Sequence, residues 1–368
     1  MTAPHRDDPR LHLAVEVDGD GAHPAAWRHS GRPPAEVFGP RLLRERVAAA
    51  EEAGFTLVTL ADTPVPPGPE TAGRLEAGTR AAYVSVLTDR IGLAPTLHAT
   101  VTEPFHLATQ LASLDHASNG RAAWIVGAAN DADAHATIGR EPLTAEALRR
   151  EVADVIDTAR ALWDSWEDDA VIKDLATGRF LDWHKVHHID FEGAAFTVKG
   201  PLITPRPPQG QVVVLAPDHL DADDRADVVL VARPGLTDIG FRSAAARQAG
   251  APLVFAEVEV VLDADRPAAE RLAELDAATA WAPGDRLRHV GSAADLAELL
   301  AELARTVDGV RLYPAVLAVD LPVLAGQVLP ALAEAGLHRP PRPGDTLRSA
   351  LGLPRPANRF AAAATATS

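Results

Sequence analysis

Two histidines, His23 and His98, follow predicted strands, and an acid, Asp62, ends the segment that lies between them. An imidazole takes up or releases a proton near neutral pH, so each histidine is a candidate general acid or base. A lone histidine is more often a hydrogen-bonded structural group, and an acid at a strand end can also cap a loop. The residues alone leave both interpretations open.

Other clusters of polar residues do not form a known catalytic or metal motif. His184, His187 and His188 lie in a segment where solvated histidines are more common than a zinc site. The acids between Asp218 and Asp227 lack the glycine and terminal glutamate of a calcium loop. Phosphate-binding glycine loops, nucleophile elbows and zincin motifs are absent from the sequence. No metal is assigned, and because the chain has no cysteine, redox chemistry requires a bound cofactor.

The composition is that of a globular protein, with 47% hydrophobic and 23% charged residues among 368. A formal net charge of −16 and the lack of a basic cluster exclude nucleic acid as a partner. The N-terminal residues contain no apolar signal segment, and the aliphatic runs are too short to span a bilayer. We expect a cytoplasmic protein that does not enter a membrane.

Short apolar runs alternate with longer amphipathic segments, which predicts repeated βα units around a parallel sheet. Gly54 suits a left-handed helix C-cap, and Pro104 suits a first helical turn. Eight strands fit either a barrel or a doubly wound sheet. The predicted strands cover residues 11–17, 56–61, 91–97, 122–126, 212–216, 228–232, 253–261 and 310–313, and the predicted helices cover 35–53, 104–116, 144–164, 238–249, 267–278, 293–306 and 321–335.

Two segments depart from this alternation. An insertion at about residues 164–208 separates the fourth and fifth strands, and its length predicts that it has structure of its own and covers a site. Residues 218–226, by contrast, leave barely two turns for a helix. We expect one domain over residues 1–368, with a C-terminal tail at 337–368 that frays at its end.

Several motifs, taken in order, resemble the bacterial-luciferase-like flavin monooxygenases, in particular the branch of nitrilotriacetate, alkane and sulfone monooxygenases. The resemblance extends from about residue 11 to residue 360. The matching segments are HPAAWRHS (23–30), AEEAGFTLVTLAD ending at Asp62, DRIGLAPTLHATVTEPFHLATQLASLDHASNGRAAW (89–124), LWDSW (162–166), FTVKGPL (196–202), DGVRLYPA (308–315), VLPALAEAGL and TLRSALGLPRPANRF.

The resemblance implies a (β/α)8 TIM barrel whose functional residues lie on the loops at the carboxyl ends of the strands. It further implies that reduced FMN, supplied by a separate flavin reductase, reacts there with oxygen to oxidise a small-molecule substrate. Asp62 and Thr96 occupy positions where the family places groups beside the flavin, while His23, Trp27 and His98 lie on the same rim. Family members associate through barrel helices, so we expect a homodimer, or a heterodimer with a related chain.

The flavin site departs from the family pattern in three places. The fourth strand reads Trp-Ile-Val-Gly-Ala-Ala, where the family offers an amide and two hydroxyls. Arg149 aligns with a tyrosine that contacts the flavin. After the fifth strand, Pro217 lacks an amide donor and Asp218 would repel the FMN phosphate. Arg149, Arg233 and His219 are the residues that could rebuild the anion site.

Three functional hypotheses follow. The first is a monooxygenase that uses reduced FMN and oxygen. The second is a non-catalytic member of the family that acts as a binding or partner subunit, which accounts for the altered phosphate site. The third is an oxidoreductase that uses the deazaflavin F420, since related barrels bind it.

Overall fold

The fold is described from a computed structural model, which covers residues 10–29, 31, 33, 36, 38–66 and 73–364, without the side chains of 362–364. The strands in chain order are β1 (His12–Glu16), β2 (Leu57–Leu60), β3 (Gly92–His98), β4 (Ala123–Gly127), β5 (Val171–Asp174), β6 (Arg179–Leu181), β7 (Phe191–Glu192), β8 (Thr197–Val198), β9 (Val213–Pro217), β10 (Val228–Val231), β11 (Leu253–Leu262), β12 (Leu287–Gly291) and β13 (Gly309–Pro314).

Eight parallel strands close into a barrel in the order β1, β2, β3, β4, β9, β10, β11, β13 and back to β1. The closure between β10 and β11 pairs Val228 with Leu253, and the closure between β13 and β1 pairs Gly309 with His12. All eight predicted strands are present, and the predicted (β/α)8 TIM barrel is confirmed. Their apolar sequences follow from burial on both faces, towards the barrel axis and towards the helices.

A further strand, β12, was not predicted. It pairs with the carboxyl half of β11, whereas the first half of β11 pairs with β10. Its sequence, LRHVG, is too polar to indicate a buried strand, and its burial is correspondingly only partial. The strand therefore lies where β10 and β11 separate, at the carboxyl end of the barrel.

All seven predicted helices are present, the last of them as α9, a π-helical turn and α10. The unpredicted helices among the described residues are α2 and α4, which are short and follow β2 and β4, and α11 and α12 in the C-terminal segment. Gly54 forms the left-handed C-cap of α1 at φ 95°, as predicted, while the predicted start of that helix at residue 35 lies outside the described residues. The helices are α1 (Pro40–Ala53), α2 (Ala77–Ser85), α3 (Pro104–Ala117), α4 (Ala132–Thr137), α5 (Ala145–Asp164), α6 (Leu236–Gln248), α7 (Ala268–Ala278), α8 (Ala293–Leu303), α9 (Leu317–Val323), α10 (Leu329–Glu334), α11 (Leu347–Ala350) and α12 (Arg359–Ala364).

The segment between β9 and β10 contains a single 3-10 turn, Asp218–Leu220, and no α-helix. The prediction of a shortened helix there was therefore wrong. Pro217 and the left-handed residue Asp221, at φ 52°, flank the turn and prevent a longer helical segment.

The stretch Leu317–Glu334 has the length and composition of a membrane span, with a mean hydropathy of 1.4. It consists of α9, a π-helical turn at Leu324–Val328 and α10. The stretch packs as a barrel helix, with α9 against β11 and β13 and with α10 against α8.

The insertion has structure of its own, as predicted. It forms two hairpins, β5–β6 and β7–β8. Its hydrogen bonds run to α5 and to the C-terminal segment: Ala194 N donates to Asp154 Oδ2 at 2.8 Å, and Asn358 Nδ2 donates to Trp166 O at 2.8 Å. His187 also stacks on Phe360 with ring centroids 4.6 Å apart. These contacts place the insertion at the amino ends of the barrel strands. The expectation that it covers the carboxyl-end site finds no support among the described contacts.

The C-terminal tail is packed rather than free over its described residues. Leu347 and Leu351 enter the inner core of the barrel from the amino end. Arg348 donates to Asp227 at 2.9 Å, and both side chains are buried. The tail therefore closes one end of the barrel, and only residues 365–368 of the predicted frayed end lie outside the described part.

Candidate functional site at the carboxyl end of the barrel

The carboxyl end of the barrel interior holds a buried charged cluster. Ala14 and Phe255 face the axis within the inner core, so the residues two positions further along each strand, Glu16 and Glu257, also face it. Arg311 on β13 lies between them and donates to Glu16 at 2.6 Å and to Glu257 at 2.9 Å. Its Nε also donates to Thr59 Oγ1 at 3.0 Å, which links four strands through one guanidinium.

Tyr313, two residues after Arg311, extends this network. Its hydroxyl donates to Glu257 at 2.6 Å, and Arg286 from the segment before β12 lies over its ring at 3.9 Å. Burial raises the pKa of Tyr313 well above its ordinary value, so the phenol is a neutral donor. Burial opposes ionisation of Glu257, yet Arg311 and Arg286 hold the pKa of this carboxyl below its ordinary value. The network is therefore ionised and internally paired.

The β12 segment completes the cluster. Arg288 donates to Glu259 at 2.8 Å and lies over the ring of Trp281 at 3.9 Å. Arg286 reaches Glu257 at 3.2 Å and Glu259 at 3.7 Å. We call this group the mouth cluster; its members are Glu16, Glu257, Glu259, Arg286, Arg288, Arg311 and Tyr313.

The sequence analysis did not single out any member of the mouth cluster. A signal was available, because Glu16, Glu257 and Arg311 each interrupt a predicted buried strand, and Glu257 and Glu259 share the spacing of one strand face. Charged residues with that period in a buried parallel strand predict inward-facing ion pairs.

His98, predicted to be catalytic, connects three loops at this end. Ala129 N donates to its Nδ1 at 3.2 Å, so Nε2 carries the proton and donates to Asp62 O at 3.2 Å. Burial lowers the pKa of His98, which keeps the ring neutral at pH 7. A Cβ at Gly127 would lie 2.6 Å from Nδ1, so the glycine in the altered fourth strand makes room for this imidazole.

Asp62 and Thr96, predicted to bind the cofactor, lie on the strands beside His98. Both carboxylate oxygens of Asp62 accept backbone hydrogen bonds, from Thr63 N at 2.8 Å and from Ala77 N at 2.7 Å, so the side chain caps α2. Thr96 is nearly buried on β3 and pairs in register with Ile125. The structure therefore brings Asp62 and His98 into contact and gives Asp62 a capping role.

His23, the other histidine predicted to be catalytic, lies in the loop after β1. Ala25 N donates to its Nδ1 at 3.0 Å, and its Nε2 faces Asp276 Oδ1 at 3.1 Å. The side chain is fully buried and meets Trp281 edge to face at 5.1 Å. Burial lowers the pKa of His23. Nδ1 fixes the ring within its own loop, Nε2 holds the loop against α7, and no described contact joins His23 to His98.

The end of β9 carries a second group of paired charges. Asp218 is buried and accepts from Arg233 at 2.8 Å and from Arg242 at 3.0 Å. The two arginines compensate its negative charge. Asp218 is therefore not an isolated negative charge that would repel a phosphate, as the sequence had suggested. Arg149 pairs with the exposed Asp221 at 3.4 Å. His219 is exposed beside them.

Two large buried side chains outside this site form hydrogen bonds that hold the barrel together. Arg121 is buried at the amino end and donates to carbonyl oxygens of Ser85, Thr88 and Ile91 at 2.7 to 2.9 Å. Trp163 is buried against α3, where its Nε1 donates to Ala108 O at 3.1 Å. Among the described residues, no group of three or more histidines, cysteines and acids could hold a metal ion.

A family model for luciferase-like monooxygenases matches residues 22–329. This chain belongs to the luciferase-like monooxygenase family. The match covers the barrel from the loop of His23 to the start of α10 and confirms the resemblance found in the sequence. Members of this family are flavin-dependent oxidoreductases, and the relatives named below are monooxygenases.

The chain is similar to N-acetyl-S-(2-succino)cysteine monooxygenase of Bacillus subtilis, with 28% identity over 434 positions, 96% of this chain and 98% of that protein. It is 33% identical to nitrilotriacetate monooxygenase component A of Aminobacter aminovorans over 62% of this chain and 55% of that protein. A dibenzothiophene-sulfone monooxygenase of Rhodococcus erythropolis is 37% identical over 42% of this chain and 34% of its own length. The predicted branch of the family is therefore confirmed.

Solved structures share the fold. Long-chain alkane monooxygenase superimposes with a TM-score of 0.83 at 20% identity, over 96% of this chain and 99% of that one. EDTA monooxygenase from Chelativorans sp. BNC1 superimposes with a TM-score of 0.80 at 21% identity, over 94% and 99%. The alignment with the Bacillus subtilis relative extends over 434 positions, whereas this chain has 368 residues, so that relative contains segments that are missing here.

The donor set at the carboxyl end suits a phosphate-bearing flavin. Arg149 and Arg233 are partly exposed, and His219 is exposed, so three cationic or protonatable groups surround the end of β9. Arginine side chains bind phosphate through paired N–H groups, which can replace the amide donor that Pro217 lacks. The exposed partner Asp221 is held only by a weak, screened ion pair and can yield to a dianion.

Proposed function

We propose that this chain is a flavin-dependent monooxygenase that binds reduced FMN at the carboxyl end of the barrel and oxidises a small organic substrate with oxygen. The observation that carries the proposal is a luciferase-like barrel in which Arg149 and Arg233 lie at the end of β9, beside the altered phosphate contacts. Reduced flavin, when bound, supplies the electrons that activate oxygen. The chain's own residues bind the cofactor, orient it and restrict the access of water.

The phosphate is bound by Arg149, Arg233 and His219 in this proposal. Arg233 lies at the end of β10, and Asp218 fixes its guanidinium from one side. Arg149 extends from α5 and is free to exchange the exposed carboxylate of Asp221 for a phosphate. Together they supply positive charge from two elements of the barrel.

The wall formed by β2, β3 and β4 would hold the flavin ring. Thr96 offers a hydroxyl from β3, and His98 is held rigidly by Ala129 and the carbonyl of Asp62. His98 is a neutral imidazole whose Nε2 hydrogen is donated to the carbonyl of Asp62, so this nitrogen could donate a proton to a bound group only after releasing that hydrogen bond. Asp62 is a positioning residue, because its carboxylate holds α2 and its carbonyl holds His98.

His23 acts as a positioning residue in the same proposal. Its ring holds the β1 loop against Asp276 and Trp281, next to Arg288 of the mouth cluster. It thereby fixes the position of the β1 loop relative to the mouth cluster.

Partners follow from the same proposal. A separate reductase supplies reduced flavin, as the name of the relative nitrilotriacetate monooxygenase component A, one part of a larger system, supports. Other relatives are named as subunits A and B of pristinamycin IIA synthase, so two chains related to this one occur in a single named enzyme. We propose a cytoplasmic enzyme of one barrel domain.

The test is anaerobic titration of the full chain with reduced FMN and with reduced riboflavin, which lacks the phosphate. Wild type is expected to bind FMN more tightly. Arg233→Ala and Arg149→Ala should each weaken FMN binding by about 10- to 100-fold, the value of one lost charge-assisted hydrogen bond, and leave riboflavin binding unchanged.

Arg150→Ala is the matched control, since Arg150 lies next to Arg149 on α5 and pairs with Glu146 instead. Equal affinities for FMN and riboflavin would contradict the phosphate site. Failure of both flavins to bind in either redox state would contradict the proposed function.

A second candidate is a non-catalytic partner subunit. It is favoured by the full engagement of His23 and Asp62 in structural hydrogen bonds and by the segments that this chain lacks. Copurification with an intact luciferase-like chain, combined with absent flavin binding, would support this candidate.

The deazaflavin F420 is the third candidate. A secondary alcohol dehydrogenase that uses F420 has the same fold, with a TM-score of 0.62 at 15% identity, which concerns the fold alone. The absorbance of reduced F420 during incubation with the chain distinguishes this cofactor from FMN.

A further inference from the structure

Residues 131–142, which we call the β4–α5 loop, connect the two parts of the proposed flavin site. Just before the loop, Ala129 N donates to His98 Nδ1 at 3.2 Å. At its first residue, the nearby carboxylate of Asp131 partly offsets the lowering of the His98 pKa by burial. After the loop, α5 carries Arg149 in its second turn. The loop therefore lies between the wall for the flavin ring and the arginine proposed to bind the phosphate.

The two ends of the β4–α5 loop are fastened to each other. Asn130 Nδ2 donates to Leu143 O at 2.8 Å, and Leu143 N donates to Asn130 Oδ1 at 2.7 Å. Thr100 Oγ1 donates to Ala129 O at 2.9 Å and fixes the chain just before this clasp. Because the base is held on both sides, the loop can move as a unit while β4 and α5 stay in place.

Between its ends, the loop is held against the barrel by few contacts. Among the described residues, its polar contacts with other segments come from Arg140, whose Nη1 donates to Thr100 O at 3.3 Å and lies 4.0 Å from Glu151 Oε1. Ala134 and His135 on α4 are its buried residues, and the others are exposed or half-buried. A segment with so little buried apolar surface opens at a low cost in free energy.

The burial of His135 is unfavourable. The residue is 1% exposed, and neither ring nitrogen has a hydrogen-bond partner among the described residues. In either tautomer a neutral imidazole has one N–H donor and one acceptor nitrogen, and both have given up their hydrogen bonds to water here. Such a group loses its hydration and gains no hydrogen bond in return. This loss destabilises the packed position of the loop relative to an open position in which water reaches His135.

Glu151, on α5 beside the loop, is a second group without a hydrogen bond among the described residues. Its side chain is 13% exposed, and Arg140 of the loop is its ion-pair partner at 4.0 Å. Burial raises the pKa of Glu151, even though the charges of Arg140 and His135 act in the opposite direction. Water that enters when the loop opens would hydrate this carboxyl as well, so both groups favour the open position.

We infer that the β4–α5 loop is a gate that opens and closes beside the flavin site, and that the unpaired imidazole of His135 limits the stability of its closed position. The gate turns about the clasp between Asn130 and Leu143, and Arg140 holds it closed. The motion follows from the contacts of the loop itself. The identity of the molecule that the gate admits, reduced FMN, rests on the proposed function.

Amide hydrogen exchange of the full chain without flavin tests the motion. His135→Leu places an apolar side chain of similar size in the buried position, so the closed loop no longer contains an unpaired polar group. Exchange at the amides of Ile138 and Arg140, which both donate to His135 O, should slow by about 10-fold or more. Thr137→Leu is the matched control, because it raises the helix propensity of α4 similarly at an exposed position and should change exchange far less.

Releasing the clasp should have the opposite effect. Asn130→Ala removes both hydrogen bonds to Leu143, and exchange across the loop should become about 10-fold faster or more, while the buried part of α5 keeps its protection. Unchanged or faster exchange in His135→Leu would overturn the gate, because it would show that the imidazole is paired in solution. A lower melting temperature of His135→Leu than of wild type would overturn it for the same reason.

Stopped-flow mixing of the anaerobic chain with reduced FMN tests what the gate admits. His135→Leu should lower both the association and the dissociation rate constants by about 10-fold and leave Kd nearly unchanged, because a gate controls passage in both directions. A changed Kd with an unchanged association rate would make His135 a binding residue and would overturn the gate. If reduced FMN bound to neither protein although exchange slowed as expected, the proposed function and the passage of FMN would be refuted, whereas the motion of the loop would stand.

Discussion

The two ends of the barrel both bury charged side chains, but they use them differently. At the amino end, Arg348 of the tail pairs with Asp227, and Arg206 of the insertion pairs with Asp164 at 2.8 Å. Each of these pairs attaches the tail or the insertion to the rest of the barrel. At the carboxyl end, the mouth cluster joins neighbouring strands and stays inside the barrel, where Tyr313 and Arg286 remain beside the axis.

The difference shows which end is closed and which end is available for chemistry. At the amino end, Leu347 and Leu351 fill the barrel interior, and the charged pairs hold the tail and the insertion in place. Among the described residues, no such apolar plug covers the mouth cluster. Its three acids and three arginines balance one another in charge. Because its charges are paired and rigidly held, the mouth cluster provides fixed dipoles near a reacting group, and these dipoles need little reorganisation during a reaction.

The largest expected effect comes from removing the central guanidinium of the mouth cluster. Arg311→Ala leaves Glu16 buried without a basic partner among the described residues, while Arg286 still contacts Glu257, and we expect a loss of about 3–5 kcal/mol in the free energy of unfolding. Urea unfolding measures this loss. Combining Arg311→Met with Glu16→Gln and Glu257→Gln should restore most of the stability, since no unpaired buried charge remains. A loss below about 1 kcal/mol for Arg311→Ala would show that the carboxyls are not ionised in the fold.

The matching substitution at the amino end should cost less. Arg348→Ala leaves Asp227 with two other partners, Arg160 at 3.1 Å and Val214 N at 2.9 Å. We expect a loss of about 2–3 kcal/mol by urea unfolding, the value of hydrogen bonds to a charged group. If Arg348→Ala lowered the free energy of unfolding as much as Arg311→Ala does, the two ends would not differ in how far their buried acids depend on one arginine.

The sequence predicted the barrel more completely than the site. All eight strands followed from apolar runs, because a parallel strand buried on both faces must be almost continuously apolar. Helix α2 and strand β12 were missed, since α2 is short and β12 is only half buried and carries Arg288. Elements this short or this weakly patterned cannot be distinguished from loops by the periodicity of a single sequence.

The site could be predicted only in part, because the role of a side chain at a strand end depends on the residues that it contacts in three dimensions. His98 and Asp62 were singled out by their position after strands, but that position does not reveal that Ala129, Thr63 and Ala77 occupy their polar atoms. Asp218 presented the opposite case, because its expected repulsion of a phosphate ignored Arg242, which lies 24 residues away in sequence.

A smaller effect is expected at the acids of the carboxyl end that cap backbone rather than pair with arginines. Asp62→Ala removes the acceptor of Ala77 N at the start of α2, and a loss of about 1 kcal/mol in the free energy of unfolding is expected, as for other helix caps. Glu76→Ala is the comparison, because Glu76 caps Gly78 and Thr79 of the same helix and should cost a similar amount. A loss at Asp62 as large as that of Arg311→Ala would mean that Asp62 belongs with the paired charges.

The smallest effect, and the one that best separates the two ends, is a dependence on pH. Burial lowers the pKa of His98, so the unfolded chain takes up this proton at a higher pH than the folded chain does, and stability falls as pH drops below about 6.5. At the amino end, burial raises the pKa of Asp115 to about 7, so the folded chain keeps a proton that the unfolded chain releases near 3.8, and stability falls as pH rises through that window. The difference in unfolding free energy between wild type and His98→Asn should therefore be larger at about pH 8 than at about pH 5. A difference for His98→Asn that is constant with pH would mean that its imidazole titrates alike in the folded and unfolded chains.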